Sequence, residues 1–313
     1  MSDPRVEVPT DASAATDRDT WLALIDAIGE EEGYFQTVGP RHWAMFVDDS
    51  PTLLVTFETL DQCRARPGQM PLAHALAAAN GWSHLCLISD GQTWFRDPAV
   101  YGYFDRLVDD AFFEDFDRVL FYGAGPGSHP ACAYSVASPG ARVLALNPVA
   151  TLDPAQSGWD DRYRADRRRD FTSRYGYAPD MVEGAAQVTL VLDPAEQADA
   201  IHAALFHAPH IATLPARMAG AEVEPALARL GVLDPMIIAA MHGTLTRASF
   251  ATLWRKRRDD GPYLRTLMQE TATSGHVARE LAVCRVAAKR IKSGKVRKRL
   301  AELTALQEAG VKA

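Results

Sequence analysis

Short apolar runs alternate with amphipathic segments along the chain, and this pattern predicts an α/β protein. The runs show little alternation with polar residues, which is typical of strands buried on both faces of a parallel sheet. The predicted strands are residues 42–47, 53–58, 84–89, 119–122, 142–146, 187–192 and 210–214. The predicted helices are residues 21–28, 72–80, 100–113 and 195–205, and the chain from residue 222 onward is helical.

The connections between these elements predict the domain organisation. The turn 48–51, Asp-Asp-Ser-Pro, joins the first two strands, so we expect them to form an antiparallel hairpin. We expect a mostly parallel central sheet of about eight strands flanked by helices. Residues 1–19 are acidic and rich in Pro, Ala and Thr, which predicts a disordered tail. The α/β domain then spans 20–240 with a helical insertion at 151–185, and 241–313 is a helical C-terminal extension.

A glycine-rich turn follows the strand 119–122 in the middle of the chain. Its sequence is Gly123-Ala124-Gly125-Pro126-Gly127, and a helix-like segment comes directly after it. In open α/β sheets, chemistry often occurs at such a turn, beyond the carboxyl end of a strand. The turn is therefore the first candidate site.

The order of these elements resembles the α/β-hydrolase fold, and the turn is similar to the G-x-S-x-G nucleophile elbow of that family. The resemblance places Gly125 at the nucleophile position and Asp193 at the position of the catalytic acid. It places the catalytic base in the loop 216–222, which contains no histidine. Because Ser-His-Asp hydrolysis needs a nucleophile and a base, we expect a pseudoenzyme that binds or assembles rather than hydrolyses.

An enzyme with a non-standard site is the alternative. Ser128 and His129 follow the turn and could act with Asp193 on a small acyl or anionic substrate. The competing interpretation gives Ser128 a structural role at the start of the helix, where a hydroxyl caps free backbone N–H groups. It makes His129 a surface or pocket-lining side chain.

A third interpretation is nucleotide or phosphate binding by the turn. Gly123, Gly125 and Gly127 partly match G-x-G-x-x-G, and backbone N–H groups at a helix start can bind an anion. Ser128 occupies the position of the third glycine, however, and the next strand ends in Asn147-Pro148 rather than in an acidic residue. Both differences weaken the match to a dinucleotide site.

Alphaproteobacterial proteins similar to this chain are sometimes labelled phosphoadenosine phosphosulfate reductase. Such reductases resemble one another in a phosphate-binding loop near the first strand and a cysteine near the C-terminus. The sequence contains neither feature, because Cys284 lies in a basic helical segment without an E-C-G-x-H context. The residues therefore do not support that chemistry.

Two basic segments are further candidate binding surfaces. In the insertion, Arg162, Arg167 and Arg168 could hold a small anion by forked hydrogen bonds, although neighbouring aspartates could equally balance them. In the C-terminal extension, residues 276–306 predict a helical hairpin with one apolar and one basic face. The basic face could bind a protein partner or be solvated. Aromatic residues do not interleave with its charges, so we expect no nucleic acid partner.

Composition adds bounds on partners and localisation. The 313 residues are 47% hydrophobic and carry a formal net charge of −7, which gives no overall attraction to nucleic acid or to anionic membranes. The four cysteines form no C-x-x-C pair and no apolar run is long enough for a membrane span, so we expect reduced thiols in a cytoplasmic protein. His202, His207 and His210 are close in sequence, yet a second ligand cluster is missing, so we expect neither a metal nor a cofactor. Oligomerisation stays open.

Overall fold

The computed structural model describes residues 10–308, and its centre is one sheet of eight strands. The strand order across the sheet is β1-β2-β4-β3-β5-β6-β7-β8. Strand β2 is antiparallel to both of its neighbours, and β3 to β8 are mutually parallel. The strands are β1 (Gly33–Thr37), β2 (His42–Val47), β3 (Thr52–Thr59), β4 (Ser83–Ser89), β5 (Arg118–Ala124), β6 (Arg142–Leu146), β7 (Gln187–Leu192) and β8 (Ile211–Pro215).

The α-helices of the described residues flank the sheet and form the C-terminal part of the chain. They are α1 (Arg18–Glu32), α2 (Leu60–Arg64), α3 (His74–Asn80), α4 (Pro98–Asp109), α5 (Ser128–Tyr134), α6 (Pro154–Ser157), α7 (Ala178–Met181), α8 (Gln197–Ala204), α9 (Val223–Arg229), α10 (Leu233–Met241), α11 (Arg247–Trp254), α12 (Gly261–Thr273), α13 (Val277–Arg290) and α14 (Gly294–Glu308). None of these helices has the length and apolar character needed to cross a membrane.

The eight strands and their flanking helices confirm the predicted mostly parallel sheet of about eight strands.

The predicted hairpin of β2 and β3 is wrong. Strand β4 lies between them, so that Val55 of β3 pairs with Leu85 on one side and with Phe121 on the other. The Ser83 hydroxyl at the start of β4 accepts from Asp49 N at 2.9 Å and donates to Ser50 O at 2.8 Å, which holds the connecting turn across β4. Turn residues indicate that a chain reverses, but they do not determine which strand becomes its neighbour.

Strand β1 is an addition to the sequence prediction. It follows α1 directly, lies at the edge of the sheet and pairs with β2 alone. A Cβ at Gly33 would lie 2.3 Å from Phe46 O, so only glycine allows the close approach of the two strands. Its five residues are too few and too exposed to stand out as an apolar run.

Alternate residues of the central strands pack against opposite helical layers. On one face, Val55 and Phe121 belong to a core with the aromatic rings of α4 and α5. On the other face, Leu54 and Tyr122 belong to a core with α9 and α10. Because β3, β5, β6 and β7 are parallel, their carboxyl ends share one edge of the sheet, and the candidate site lies at this edge.

The chain ends and the insertion complete the molecule. Residues 1–9 of the predicted disordered tail lie outside the described residues, whereas Ala12 and Ala15 are buried against α1, so this part of the predicted tail is packed. Residues 151–185 contain α6, α7 and 3-10 turns and no strand. In the extension, Leu281, Cys284 and Leu303 form a small core between α13 and α14, the two helices of the predicted hairpin.

Candidate active site

The turn after β5 has the backbone of a sharp strand-to-helix elbow. Strand β5 ends at Ala124, one 3-10 turn spans Gly125–Gly127, and α5 begins at Ser128. A Cβ at Gly123 would lie 2.0 Å from Gly127 O, and a Cβ at Gly127 would lie 2.8 Å from Phe57 O. Close packing thus requires both outer glycines. Gly125, at the apex, has a φ of +53°, and a Cβ there would meet no atom within 4 Å.

Asp193 follows β7 at the same edge of the sheet, and its carboxylate bonds to the backbone. One oxygen accepts from Ala195 N at 3.1 Å, and the other accepts from Gly220 N at 3.0 Å. Gly220 belongs to the loop 216–222, in which the sequence has no histidine. The Asp193 carboxylate therefore connects the loop after β7 to the loop after β8.

A polar cluster that the sequence analysis missed lies beside the turn. The Arg66 guanidinium forms an ion pair with Glu58 at the end of β3, and the Tyr122 hydroxyl donates to Glu224 of α9. The second oxygen of Glu58 accepts from Leu72 N at 2.9 Å. Burial raises the pKa of Glu58 and raises that of Tyr122 well above its ordinary value. A glutamate at the end of the mostly apolar strand β3 was the one sequence signal of this cluster.

These side chains leave little room next to the elbow. The cavity that they line together with Gly123 and Ala124 has a volume of about 20 Å³. That volume accommodates about one water molecule, whereas sites for small organic ligands have several hundred Å³. The polar cluster therefore fills the space on this side of the turn.

Solved structures of an esterase domain, a thioesterase-like protein and an alpha/beta hydrolase domain-containing protein are similar to this chain. The chain is similar to the esterase domain of a Rhodothermus marinus protein, with 15% identity and a TM-score of 0.39 over 62% of this chain and 91% of that chain. It is also similar to a thioesterase-like protein of a Silicibacter species, with 14% identity and a TM-score of 0.39 over 68% and 86% of the two chains. Alpha/beta hydrolase domain-containing protein 10 from mouse matches at 9% identity and a TM-score of 0.34, over 65% and 98%.

The chain has an α/β fold with an eight-stranded, mostly parallel sheet flanked by helices. Likeness at this level of identity concerns the fold alone. No protein-family model matches the sequence, and no curated protein sequence matches it. Only the residues of the chain itself therefore indicate its chemistry.

Ser128, a predicted catalytic residue, is fully buried at the first position of α5. Its hydroxyl donates to Gly125 O at 2.6 Å and accepts from Val149 N at 3.0 Å, so it joins the elbow to the segment after β6. It does not cap its own helix. Backbone groups thus use the Ser128 hydroxyl both as a donor and as an acceptor. Among the described residues, no side chain that could act as a base forms a hydrogen bond with it.

His129 is buried as well, in contrast to the expected surface or pocket-lining position. Its ring lies 5.1 Å from that of Phe171 and 6.3 Å from that of Trp94, measured between centroids. Neither ring nitrogen has a hydrogen-bond partner among the described residues. Burial lowers the pKa of His129 to about 3, which keeps the ring neutral at physiological pH. The structure gives neither Ser128 nor His129 a hydrogen bond to Asp193.

The insertion arginines differ in how far neighbouring groups engage them. Arg162 pairs with Asp160 at 2.8 Å and with Asp199 at 2.6 Å, and Arg167 donates to the backbone carbonyls of residues 157, 158 and 160. Arg168 is exposed and has no hydrogen-bond partner among the described residues. Two of the three predicted anion-binding arginines therefore hold the insertion together.

Asp160 is the centre of a buried network between the insertion and α8. Its carboxylate accepts from His202 Nε2 at 3.0 Å, and His202 Nδ1 accepts from Ala150 N at 3.2 Å, which defines the tautomer of the ring. Asn147 stands at the position where a dinucleotide site would have an acidic residue. Its side-chain amide donates to Asp199 at 2.5 Å. Burial opposes ionisation of Asp160, but hydrogen bonds from His202 and Arg162 hold its pKa well below the usual range.

The described residues contain no group of three or more His, Cys, Asp or Glu side chains arranged to hold a metal ion. Of the three histidines considered for metal binding, His202 belongs to the Asp160 network. His210 Nε2 lies 3.0 Å from Val182 O, and His207 is exposed. All four cysteines are free and buried.

Proposed function

We propose that this α/β-hydrolase-fold protein is a non-hydrolytic binding or assembly component. The observation that carries the proposal is the state of the three triad positions. The elbow is intact in its backbone but has glycine at its apex, the acid already bonds two backbone amides, and the loop after β8 has no histidine. Without a nucleophile and a base, acyl transfer loses both of the groups that form and resolve a covalent intermediate.

The small cavity beside the elbow supports the proposal from a different direction. A relocated nucleophile would still need room for an acyl substrate next to the turn, and the Glu58–Arg66 and Tyr122–Glu224 pairs occupy that room on one side. The predicted substitutes, Ser128 and His129, are buried and do not bond to each other or to Asp193. We propose that the binding function uses outer surfaces, including the basic face of the C-terminal helices for a protein partner.

The test measures turnover and stability in the same variants. We expect the purified protein to hydrolyse p-nitrophenyl acetate and a short acyl thioester no faster than buffer at pH 7–9. Asp193→Asn replaces one acceptor oxygen by an N–H donor, so the free energy of unfolding should fall by about 1–3 kcal/mol. Turnover should not change.

Ser128→Ala is the matched variant for the predicted nucleophile. It should also lower stability by about 1–3 kcal/mol, because Val149 N loses its acceptor. Wild-type turnover well above buffer that disappears in folded Asp193→Asn or Ser128→Ala would instead establish an enzyme with a non-standard site.

A further inference from the structure

A depression of about 330 Å³ lies where the end of β8 meets α11, and we refer to it as the arginine depression. Phe250 and Trp254 of α11 line it, and both rings are almost fully buried. The arginines come from three parts of the chain: the loop after β8, the start of α11 and the 3-10 turn after α11. They are Arg217, Arg247, Arg255, Arg257 and Arg258.

No carboxylate lines this depression, and none of its arginines forms an ion pair within residues 10–308. The acidic residues closest in sequence bond elsewhere, since Asp259 pairs with Arg290 and Asp260 pairs with Arg229. Five guanidinium groups that share one concave surface repel one another unless an anion lies among them. This differs from the insertion, where aspartates balance the arginines.

Hydrogen-bond donors without acceptors are also concentrated here. Trp254 Nε1 and Arg257 Nε are buried and have no acceptor among the described residues. Arg257 is held in place because its guanidinium lies 5.4 Å from the ring centroid of Trp254 and donates to Trp254 O at 2.6 Å. Arg217, Arg247, Arg255 and Arg258 are exposed, so their side chains can adjust to a ligand.

The charge distribution of the whole chain favours anions at this end of the molecule. Residues 241–313 contain 16 of the 33 Lys and Arg residues but only 6 of the 40 Asp and Glu residues. This segment therefore has a formal charge of +10, and residues 1–240 have a formal charge of −17. The overall net charge of −7 conceals a basic region whose field attracts anions.

We propose that the arginine depression binds a compact polyphosphate, either inorganic or as the phosphate chain of a nucleotide. Guanidinium groups bind phosphate oxygens through paired N–H donors, and five of them match several phosphate groups rather than one carboxylate. The volume lies within the range of small-molecule sites. Because Phe250 and Trp254 are buried, they offer no exposed face for stacking on the bases of a nucleic acid strand. The depression includes Arg217 of the loop 216–222 but neither Gly125 nor Asp193, and the proposal does not rest on the proposed function.

Calorimetric titration with inorganic tripolyphosphate, at fixed pH and about 0.1 M salt, tests the proposal. The variant Arg247→Gln/Arg255→Gln removes two exposed charges from the depression. Its matched control, Arg279→Gln/Arg297→Gln, removes two exposed charges from α13 and α14. We expect at least a tenfold loss of affinity, about 1.4 kcal/mol, in the first variant and less than a twofold change in the control.

Titrations with ATP and with a single-stranded oligonucleotide distinguish the sources of the phosphates. If ATP binds as tightly as tripolyphosphate, the site recognises the phosphate chain alone. If ATP binds markedly more tightly, and this binding is lost in Arg247→Gln/Arg255→Gln, the site is assigned to a nucleotide. Failure of both tripolyphosphate and ATP to bind at 1 mM would overturn the proposal. So would equal losses in the two double variants, or binding only to a single-stranded oligonucleotide, because each would show a diffuse basic surface instead of a site.

Discussion

The glycines of the turn after β5 have different physical roles, although they look equivalent in the sequence. At Gly123 and Gly127, backbone carbonyls lie where a Cβ would be, so any side chain forces the backbone apart. At Gly125 the space is open, and only the left-handed φ of +53° favours glycine. Close packing thus requires glycine at residues 123 and 127, while the apex at Gly125 offers no side chain for chemistry.

Two alanine variants separate these roles. Gly125→Ala should lower the free energy of unfolding by about 1–2 kcal/mol, the cost of a left-handed conformation for a residue with a Cβ. Gly123→Ala should lower it by about 4 kcal/mol or more, because the Cβ would collide with Gly127 O. Urea unfolding of both variants gives the comparison. Equal costs would mean that the close packing of the turn is not what requires glycine at residue 123.

At the scale of the element, several helices and loops are held by single polar residues. Asp193 joins the loops after β7 and β8, Ser128 joins the elbow to the segment after β6, and Ser83 holds the turn between β2 and β3. In the C-terminal extension, both oxygens of the buried Glu280 on α13 accept from Arg299 of α14, at 2.6 and 2.9 Å. The sequence predicts the proximity of α13 and α14, which form the helical hairpin, but the residues that make each of these bonds become apparent only in the structure.

Arg299→Ala should loosen α13 and α14 against each other. It leaves the Glu280 carboxylate buried without a partner, and since the Arg299 side chain is 42% exposed we expect a cost of about 1–3 kcal/mol. Amide hydrogen exchange in residues 277–308 measures this locally. Arg297→Ala, at an exposed position, is the control and should change exchange little. Glu280→Gln combined with Arg299→Ala should recover part of the lost protection against exchange. Equal exchange in Arg299→Ala and Arg297→Ala would contradict the role of the ion pair.

At the scale of the whole molecule, three histidines are enclosed in the sheet and its helical layer. His42 of β2 and His84 of β4 each have one ring nitrogen at 2.8 or 2.9 Å from a threonine hydroxyl, and His129 of α5 has no partner among the described residues. Burial lowers the pKa of His42 to about 4 and those of His84 and His129 to about 3. The folded protein therefore disfavours protonation at three places that are far apart in the sequence.

The free energy of unfolding should decrease as the pH falls from about 6.5 towards about 4. In this window the unfolded chain binds protons at these histidines and the folded chain does not, so each contributes a slope of about 1.4 kcal/mol per pH unit. His129→Leu should remove about one such slope, without leaving a hydrogen-bond partner unsatisfied. His207→Leu, at an exposed histidine, should leave the slope unchanged. Urea unfolding between pH 4 and 7 measures both, and a wild-type slope in His129→Leu would mean that this ring is not buried in neutral form.

The sequence by itself determined the layers of the molecule, because buried parallel strands and their covering helices differ in the period of their apolar residues. It also identified the glycine turn 123–127, and the resemblance to the α/β-hydrolase fold led us to predict the triad positions. Only the tertiary structure decided that β4 separates β2 from β3, that Asp193 and Ser128 bond to backbone groups, and that Glu58, Arg66, Tyr122 and Glu224 meet beside the elbow. The physical reason is that these outcomes depend on contacts between segments far apart in the chain, such as Tyr122 and Glu224, which are 102 residues apart, and local patterns carry no signal for such contacts.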